Sequence, residues 1–162
     1  MEKKLDTKRE RLKELFVNYE LDKEDIFSLQ MGGRKIPIVT RTGVEKIMSK
    51  DNIILKYDVV VCERDFCAVK CTAKKNDVII ETYATAQPKN CKSNYYLEMA
   101  EKRAKARAVL QITEFYSLGV YSEVESDEFK QQEKPKLKKG ETTIEKLNNE
   151  MKQTMREYNG EI

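Results

Sequence analysis

The chain has 162 residues, 40% of them hydrophobic and 36% charged, with 31 Lys and Arg against 28 Asp and Glu for a formal charge of +3. It contains no histidine, which excludes histidine-based acid–base chemistry and mixed Cys–His zinc sites, and no run approaches the roughly 18 apolar residues of a membrane-spanning helix. The length suits one domain with solvated extensions, and with so small a sum the distribution of charge along the chain carries more information than its total.

The opening MEKKLDTKRERLKELF lacks the apolar stretch and small-residue cleavage site of a secretory signal, which points to the cytosol. Thr7 followed by Glu10 is a capping-box pattern, and Leu12, Leu15, Phe16 and Tyr19 then recur at helical spacing, so a first helix is predicted to run to about residue 19. An acidic turn, LDKEDIF, leads into MGGRKIPIVT, where the Gly pair and Pro37 oppose a helix and Ile36, Ile38 and Val39 favour extended chain. Thr42 and Glu45 form a second capping box, which predicts a helix over residues 43–50 with Val44, Ile47 and Met48 as its buried stripe.

Three β-branched runs follow, NIILKYDVVVC, FCAVKCTAK and VIIETYATA, separated by the short polar connections ERD and KND, which predicts an antiparallel meander. In the second run Phe66, Ala68, Lys70 and Thr72 alternate with Cys67, Val69, Cys71 and Ala73, the pattern of a sheet with one buried face. Cys62, Cys67, Cys71 and Cys91 lack a C-x-x-C step, so Cys67 and Cys71 read as small core residues and neither zinc nor a disulfide is expected. After QPKNCKSN a long helix is predicted over residues 94–118, with Gly119 as its C-cap.

At the helical period Leu97, Ala100, Ala104, Ala108, Ile112 and Phe115 share one side of that helix, while Tyr96, Arg103 and Arg107 fall on a flank. Alanines four residues apart let a helix lie close on a sheet. The basic side asks for another reason: residues 89–107 carry Lys89, Lys92, Lys102, Arg103, Lys105 and Arg107 against only Glu98 and Glu101. Two i,i+4 pairs, Glu98–Lys102 and Glu101–Lys105, suit a plain solvated surface; a cationic stripe beside Tyr95 and Tyr96 also suits phosphates and stacked bases. The tail divides into a polar linker expected over residues 123–140 and a last helix over 141–162, opened by Thr142 and Glu145, with Ile144, Leu147, Met151, Met155 and Tyr158 near heptad spacing. The expected class is therefore α+β: a three-stranded antiparallel meander packed by a long helix, with a preceding short helix and flanking N- and C-terminal helices, in a domain over residues 1–122.

The stretch over residues 38–129, with IVTRTGVEKIM, the meander and KNCKSNYYLEMAEKRAKARAVLQITEFYSLGVYSEVESDEF, resembles the phage-encoded single-strand annealing proteins, a broad group that includes Sak, Erf and the eukaryotic Rad-fifty-two protein. The resemblance implies a β-β-β-α core, assembly into rings or filaments, and binding of single-stranded DNA along a basic groove without ATP or metal, so that complementary strands pair. It implies a phage or prophage source and action in the bacterial cytoplasm; the C-terminal stripe needs a partner, and it suits folding back on its own domain, pairing between subunits, or docking on a recombination exonuclease or single-strand binding protein alike. The family's Lys-Arg-Ala step on the long helix matches Lys102-Arg103-Ala104, with Arg107 one turn on, and these are the phosphate contacts it implies. Groove chemistry adds Lys92, Tyr95, Tyr96 and Lys105, with one of the two tyrosines expected to pack under the helix. Arg41, with Arg34 and Lys35, extends the set and equally suits a solvated loop.

Two other classes fit parts of the pattern. An α-β-β-β-α order with a basic last helix is also that of double-stranded RNA binding modules, although no loop of the kind that reaches a second minor groove stands out. A small metal-dependent nuclease would need converging carboxylates; Asp58, Glu63, Asp65, Asp77 and Glu81 lie on or between the strands but fit turns and exposed strand faces, and no enzymatic activity is expected.

Overall fold

A computed structural model describes residues 2–132 of the chain. Helix α1 (Glu2–Asn18) is followed by the hairpin β1 (Ile26–Met31) and β2 (Arg34–Val39), helix α2 (Arg41–Lys50), the meander β3 (Ile54–Cys62), β4 (Cys67–Lys75) and β5 (Val78–Ala86), helix α3 (Tyr96–Ile112), a 3-10 turn (Tyr116–Leu118), the short β6 (Tyr121–Ser122) and helix α4 (Glu123–Gln132). The meander forms one antiparallel sheet in the order β3-β4-β5; β1, β2 and β6 form a second, in which β6 runs parallel to β2. Among the described residues no helix is long and apolar enough to cross a membrane.

The β3-β4-β5 sheet follows the predicted alternation. Cys67, Val69, Cys71 and Ala73 face inward at 2% exposure or less, with Ala84 and Ala86 beside them, and α3 lies across this face. Ala100, Ala104 and Ala108 are completely buried. With alanines on the helix and small side chains on the sheet, the helix comes close enough for the Thr82 hydroxyl on β5 to donate to the Ala104 carbonyl at 2.9 Å. Each Å² of apolar surface covered in this way contributes about 25 cal/mol. The large residues expected at the two ends of α3 behave differently: Phe115 is buried against Phe16 and Tyr19, whereas Leu97 remains 36% exposed and Tyr96 packs on the core in its place. Leu15 and Tyr19 of the first helical stripe, and Val44 and Ile47 of the second, are buried as predicted.

Several boundaries differ from expectation, each for a local reason. Helix α1 starts at Glu2, so Thr7 lies inside it and is not its cap. The α2 cap is Thr40, whose hydroxyl accepts from the Gly43 N–H at 3.3 Å, two residues ahead of the predicted Thr42. The strand β1 was not predicted, and its first two residues fall in the expected acidic turn; Gly32 (φ 56°) and Gly33 (φ 79°) make the two-residue connection that joins Met31 to Arg34 in register. Helix α3 ends at Ile112, not near residue 118, since Glu114 takes φ 69° and the Thr113 hydroxyl donates to the Val109 carbonyl at 2.6 Å; Gly119 (φ 83°) closes the 3-10 turn.

The polar linker expected from residue 123 is helical as far as Gln132. Ser122 and Glu125 make a capping box there, with the Ser122 N–H and hydroxyl both donating to Glu125 Oε2, at 3.3 and 3.2 Å. Glu125 and Ser126 are 3% and 0% exposed, so the domain runs past residue 122. Residues 133–140 of the expected linker and the helix expected over 141–162 lie outside the described residues.

Candidate nucleic-acid interface

The alanine face of α3 fixes where its basic residues point. Arg103 is only 2% exposed. Its guanidinium donates to the Thr85 carbonyl at 2.8 Å and to the Asn90 carbonyl. One turn on, Arg107 donates to the Tyr83 carbonyl at 2.7 Å and, through Nε, to Glu125 Oε1 at 2.9 Å. Tyr83 and Thr85 are alternate residues of β5, an edge strand of its sheet. The two arginines that the resemblance implied as phosphate contacts therefore turn toward that edge, where backbone carbonyls need donors and the planar fork of five N–H groups supplies them. A charge brought under cover is tolerated because hydrogen bonds surround it.

Lys105 is paired with Glu45 of α2, and its side chain is 24% exposed. Lys102 and Arg41 are exposed, and among the described residues no carboxylate pairs with either side chain. Lys102, Lys105 and Arg41 meet around one cleft between α2, α3 and the start of α4, where Glu45, Glu101 and Glu123 balance them charge for charge. The Arg41 backbone N–H donates to Glu123 Oε2 at 3.2 Å, tying α2 to α4 across this cleft.

Lys92 and Arg103 line a second cleft with Asn90, Met99, Asp127 and Lys130, walled by the segment that enters α3 and by α4. Among the described residues that line it, Lys92, Arg103 and Lys130 face one carboxylate, Asp127, which pairs with Lys130 at 3.5 Å. The segment is held by its own hydrogen bonds: the Gln87 N–H donates to Asn90 Oδ1 at 2.9 Å and the Cys91 N–H to the Gln87 carbonyl at 2.9 Å. It presents Lys89 and Lys92 to solvent. Tyr95 follows as the N-cap of α3, 69% exposed, and among the described residues no side chain caps the N-terminal amides of the helix. Tyr96 is the tyrosine that packs inward. Arg34 and Lys35 are exposed on β2, away from both clefts' linings.

No family model, curated protein or solved structure matches this chain.

The carboxylates considered for metal chemistry are placed on the outer sheet face and in the hairpin turns. Asp58 and Glu81 share Lys70, at 3.6 and 3.2 Å, and the hydrogen bond that Lys70 donates to Glu81 holds its ammonium above its ordinary pKa. Among the described residues no three of His, Cys, Asp and Glu gather as a metal-ligand set. The residue that spacing did not single out is Glu125, which both caps α4 and holds Arg107; the Ser-x-x-Glu step at residues 122–125 was its visible signal.

Proposed function

We propose that the protein binds single-stranded DNA and anneals complementary strands without ATP, acting as a homo-oligomer in phage-type recombination in the bacterial cytoplasm. The observation that carries this reading is the exposed Tyr95 beside Lys89 and Lys92 at an N-terminus of α3 that no side chain among the described residues caps. An aromatic face accepts a stacked base of any sequence, and lysines with free helix amides accept its flanking phosphates. Lys102, with Arg41 across the first cleft, offers a second anchor about 10 Å further along the helix axis. A strand held at these points keeps its pairing edges free while its phosphate charge is neutralised, which lowers the repulsion that opposes a complementary strand. The β-β-β-α core agrees with what the resemblance implies, and the phosphate contacts are assigned to Lys92, Lys102 and Arg41 with Lys89, leaving Arg103 and Arg107 to the fold.

Light scattering of the protein alone and with a labelled oligonucleotide of some dozens of bases, alongside a strand-annealing assay without nucleotide, tests the proposal. A large assembly that accelerates pairing is expected. Replacing Lys92 and Lys102 by Ala should flatten the salt dependence of binding by about 0.7 in slope per lost contact, and Tyr95→Ala should weaken binding by about 1–3 kcal/mol. A monomer that ignores single strands refutes it; a preference for duplex RNA, or magnesium-dependent cleavage of DNA, would put one of the other two classes in its place.

A further inference from the structure

The loop end of the β3–β4 hairpin brings together two thiols that nucleic-acid binding does not use. Cys62 and Cys67 are direct cross-strand partners, and their Sγ atoms stand 3.3 Å apart. Only residues 63–66 separate them, closed by the Glu63 N–H donating to the Phe66 carbonyl at 2.8 Å. Hydrogen-bonded and non-hydrogen-bonded positions alternate along an antiparallel ladder, so that bond makes 62/67 a non-hydrogen-bonded position, where facing side chains come closest. The Cα spacing of such a position, about 4.5 Å, lies within the range a disulfide spans, and the sulfurs need to close by about 1.3 Å to reach bonding distance.

The two sulfurs are unequal. Cys62 is exposed and Cys67 is 2% exposed at the edge of the core. Burial, with the contact to Cys62, holds the Cys67 thiol above its ordinary pKa, so it stays protonated and shielded from solvent oxidants. The other two thiols have no such neighbour: Cys71 lies fully within the core, and the Cys91 thiol donates to the Ser93 carbonyl at 3.2 Å.

We propose that Cys62 and Cys67 form a reversible oxidation site whose co-substrate is a small hydroperoxide. The Cys62 thiolate attacks one oxygen of hydrogen peroxide; the O–O bond breaks, leaving a sulfenic acid on Cys62 and a hydroxide that leaves as water with the proton the thiol gave up. The Cys67 sulfur then attacks Cys62 Sγ. The S–S bond forms, the S–O bond breaks, and the hydroxyl departs with the Cys67 proton as a second water. Two electrons pass from the dithiol to the peroxide, and a thiol reductant reverses the step by exchange at the exposed sulfur. The product staples the end of β3 to β4 beside the register shift at Val59–Val61.

The test uses the full chain treated with a modest excess of hydrogen peroxide, quenched, alkylated in denaturant and digested with trypsin. Cleavage after Arg64 separates the two cysteines into the peptides 57–64 and 65–70, so the disulfide appears as that pair joined with the loss of two hydrogens. The linked pair is expected as the main product, with Cys71 and Cys91 alkylated and the link removed by dithiothreitol. Cys67→Ser should leave a sulfenic acid on Cys62 that dimedone traps, and Cys62→Ser should abolish both products. Wild-type protein that keeps four alkylatable thiols, or that overoxidises Cys62 without forming the link, overturns the proposal; the wild-type result decides even where a variant fails to fold.

Discussion

Replacing Arg103 by Met separates a structural arginine from a ligand contact. The side chain is 2% exposed and donates to two backbone carbonyls, of Thr85 and Asn90. Methionine fills most of the aliphatic volume but gives neither bond. Thr85 retains only the longer contact from Asn90 Nδ2, at 3.4 Å, and the Asn90 carbonyl loses this donor. A hydrogen bond from a charged donor contributes about 1.5–3 kcal/mol, and the relief of no longer covering a charge offsets part of the pair, so a net loss of about 3 kcal/mol is expected. Against a total stability of about 5–15 kcal/mol for a domain of this size, that is a large fraction. Urea unfolding followed by circular dichroism should show the midpoint falling by about 2 M for a slope near 1.5 kcal/mol per M. Lys102→Met, one residue away on the exposed side, should change the stability by less than about 0.5 kcal/mol. If Arg103→Met is as stable as Lys102→Met while single-strand binding collapses, the guanidinium is a phosphate contact and the edge-capping argument fails.

Glu125→Ala removes the partner of Arg107 and the acceptor for Ser122 together, so it should cost about 2–4 kcal/mol and raise amide hydrogen exchange first in α4; exchange unchanged over residues 123–130 would refute this. Gly43→Ala places a Cβ 2.6 Å from Val39 Cγ1 and 2.9 Å from the Asp25 carbonyl oxygen, and a thermal melt should show a loss of about 1–3 kcal/mol. Burial raises the Cys71 thiol from 9.0 to about 11. Between these values the unfolded chain gives up the proton that the folded chain keeps, so stability is intact below pH 9 and falls as pH rises toward 11, with Tyr57, raised by the same cause, adding to the fall at higher pH. Denaturant titrations across that window should show a shallower fall for Cys71→Ala; an equal slope would mean that the thiol does not contribute.

The meander was legible because its runs alternate at the strand period and its connections are too short for anything but hairpins. Cys67, Val69, Cys71 and Ala73 identify their own face by size alone. The first hairpin was missed although Phe27, Leu29 and Met31 alternate with Ser28 and Gln30, because that alternation spans only five residues and overlaps an acidic turn; its register is set by pairing with β2 across the Gly32–Gly33 turn. Helix α4 was hidden by its composition, since a polar mixed-charge stretch resembles a linker until the Ser122–Glu125 box is weighed against it. On α3 the helical period located Arg103 and Arg107 correctly on a flank, but periodicity states only a direction. Whether that direction meets water or the carbonyls of a strand edge depends on where the sheet ends, which is a tertiary fact.

The sheet that α3 covers has two unlike borders. Along β5 the outward carbonyls of Tyr83 and Thr85 are occupied by guanidinium groups from the same chain, while along β3 the border carries Val59 and Val60 at 56% and 55% exposure. Among the described residues one border thus has two of its carbonyls occupied and the other is lined by exposed valines. Two copies meeting β3 to β3 would double the three strands to six and leave a β5 border on each side, where a further copy would meet the occupied carbonyls of Tyr83 and Thr85. A ring or filament built by adding strands along β5 would have to displace these guanidinium groups, whereas one built through side-chain surfaces would not, and a variant lacking either arginine would free one carbonyl of that border.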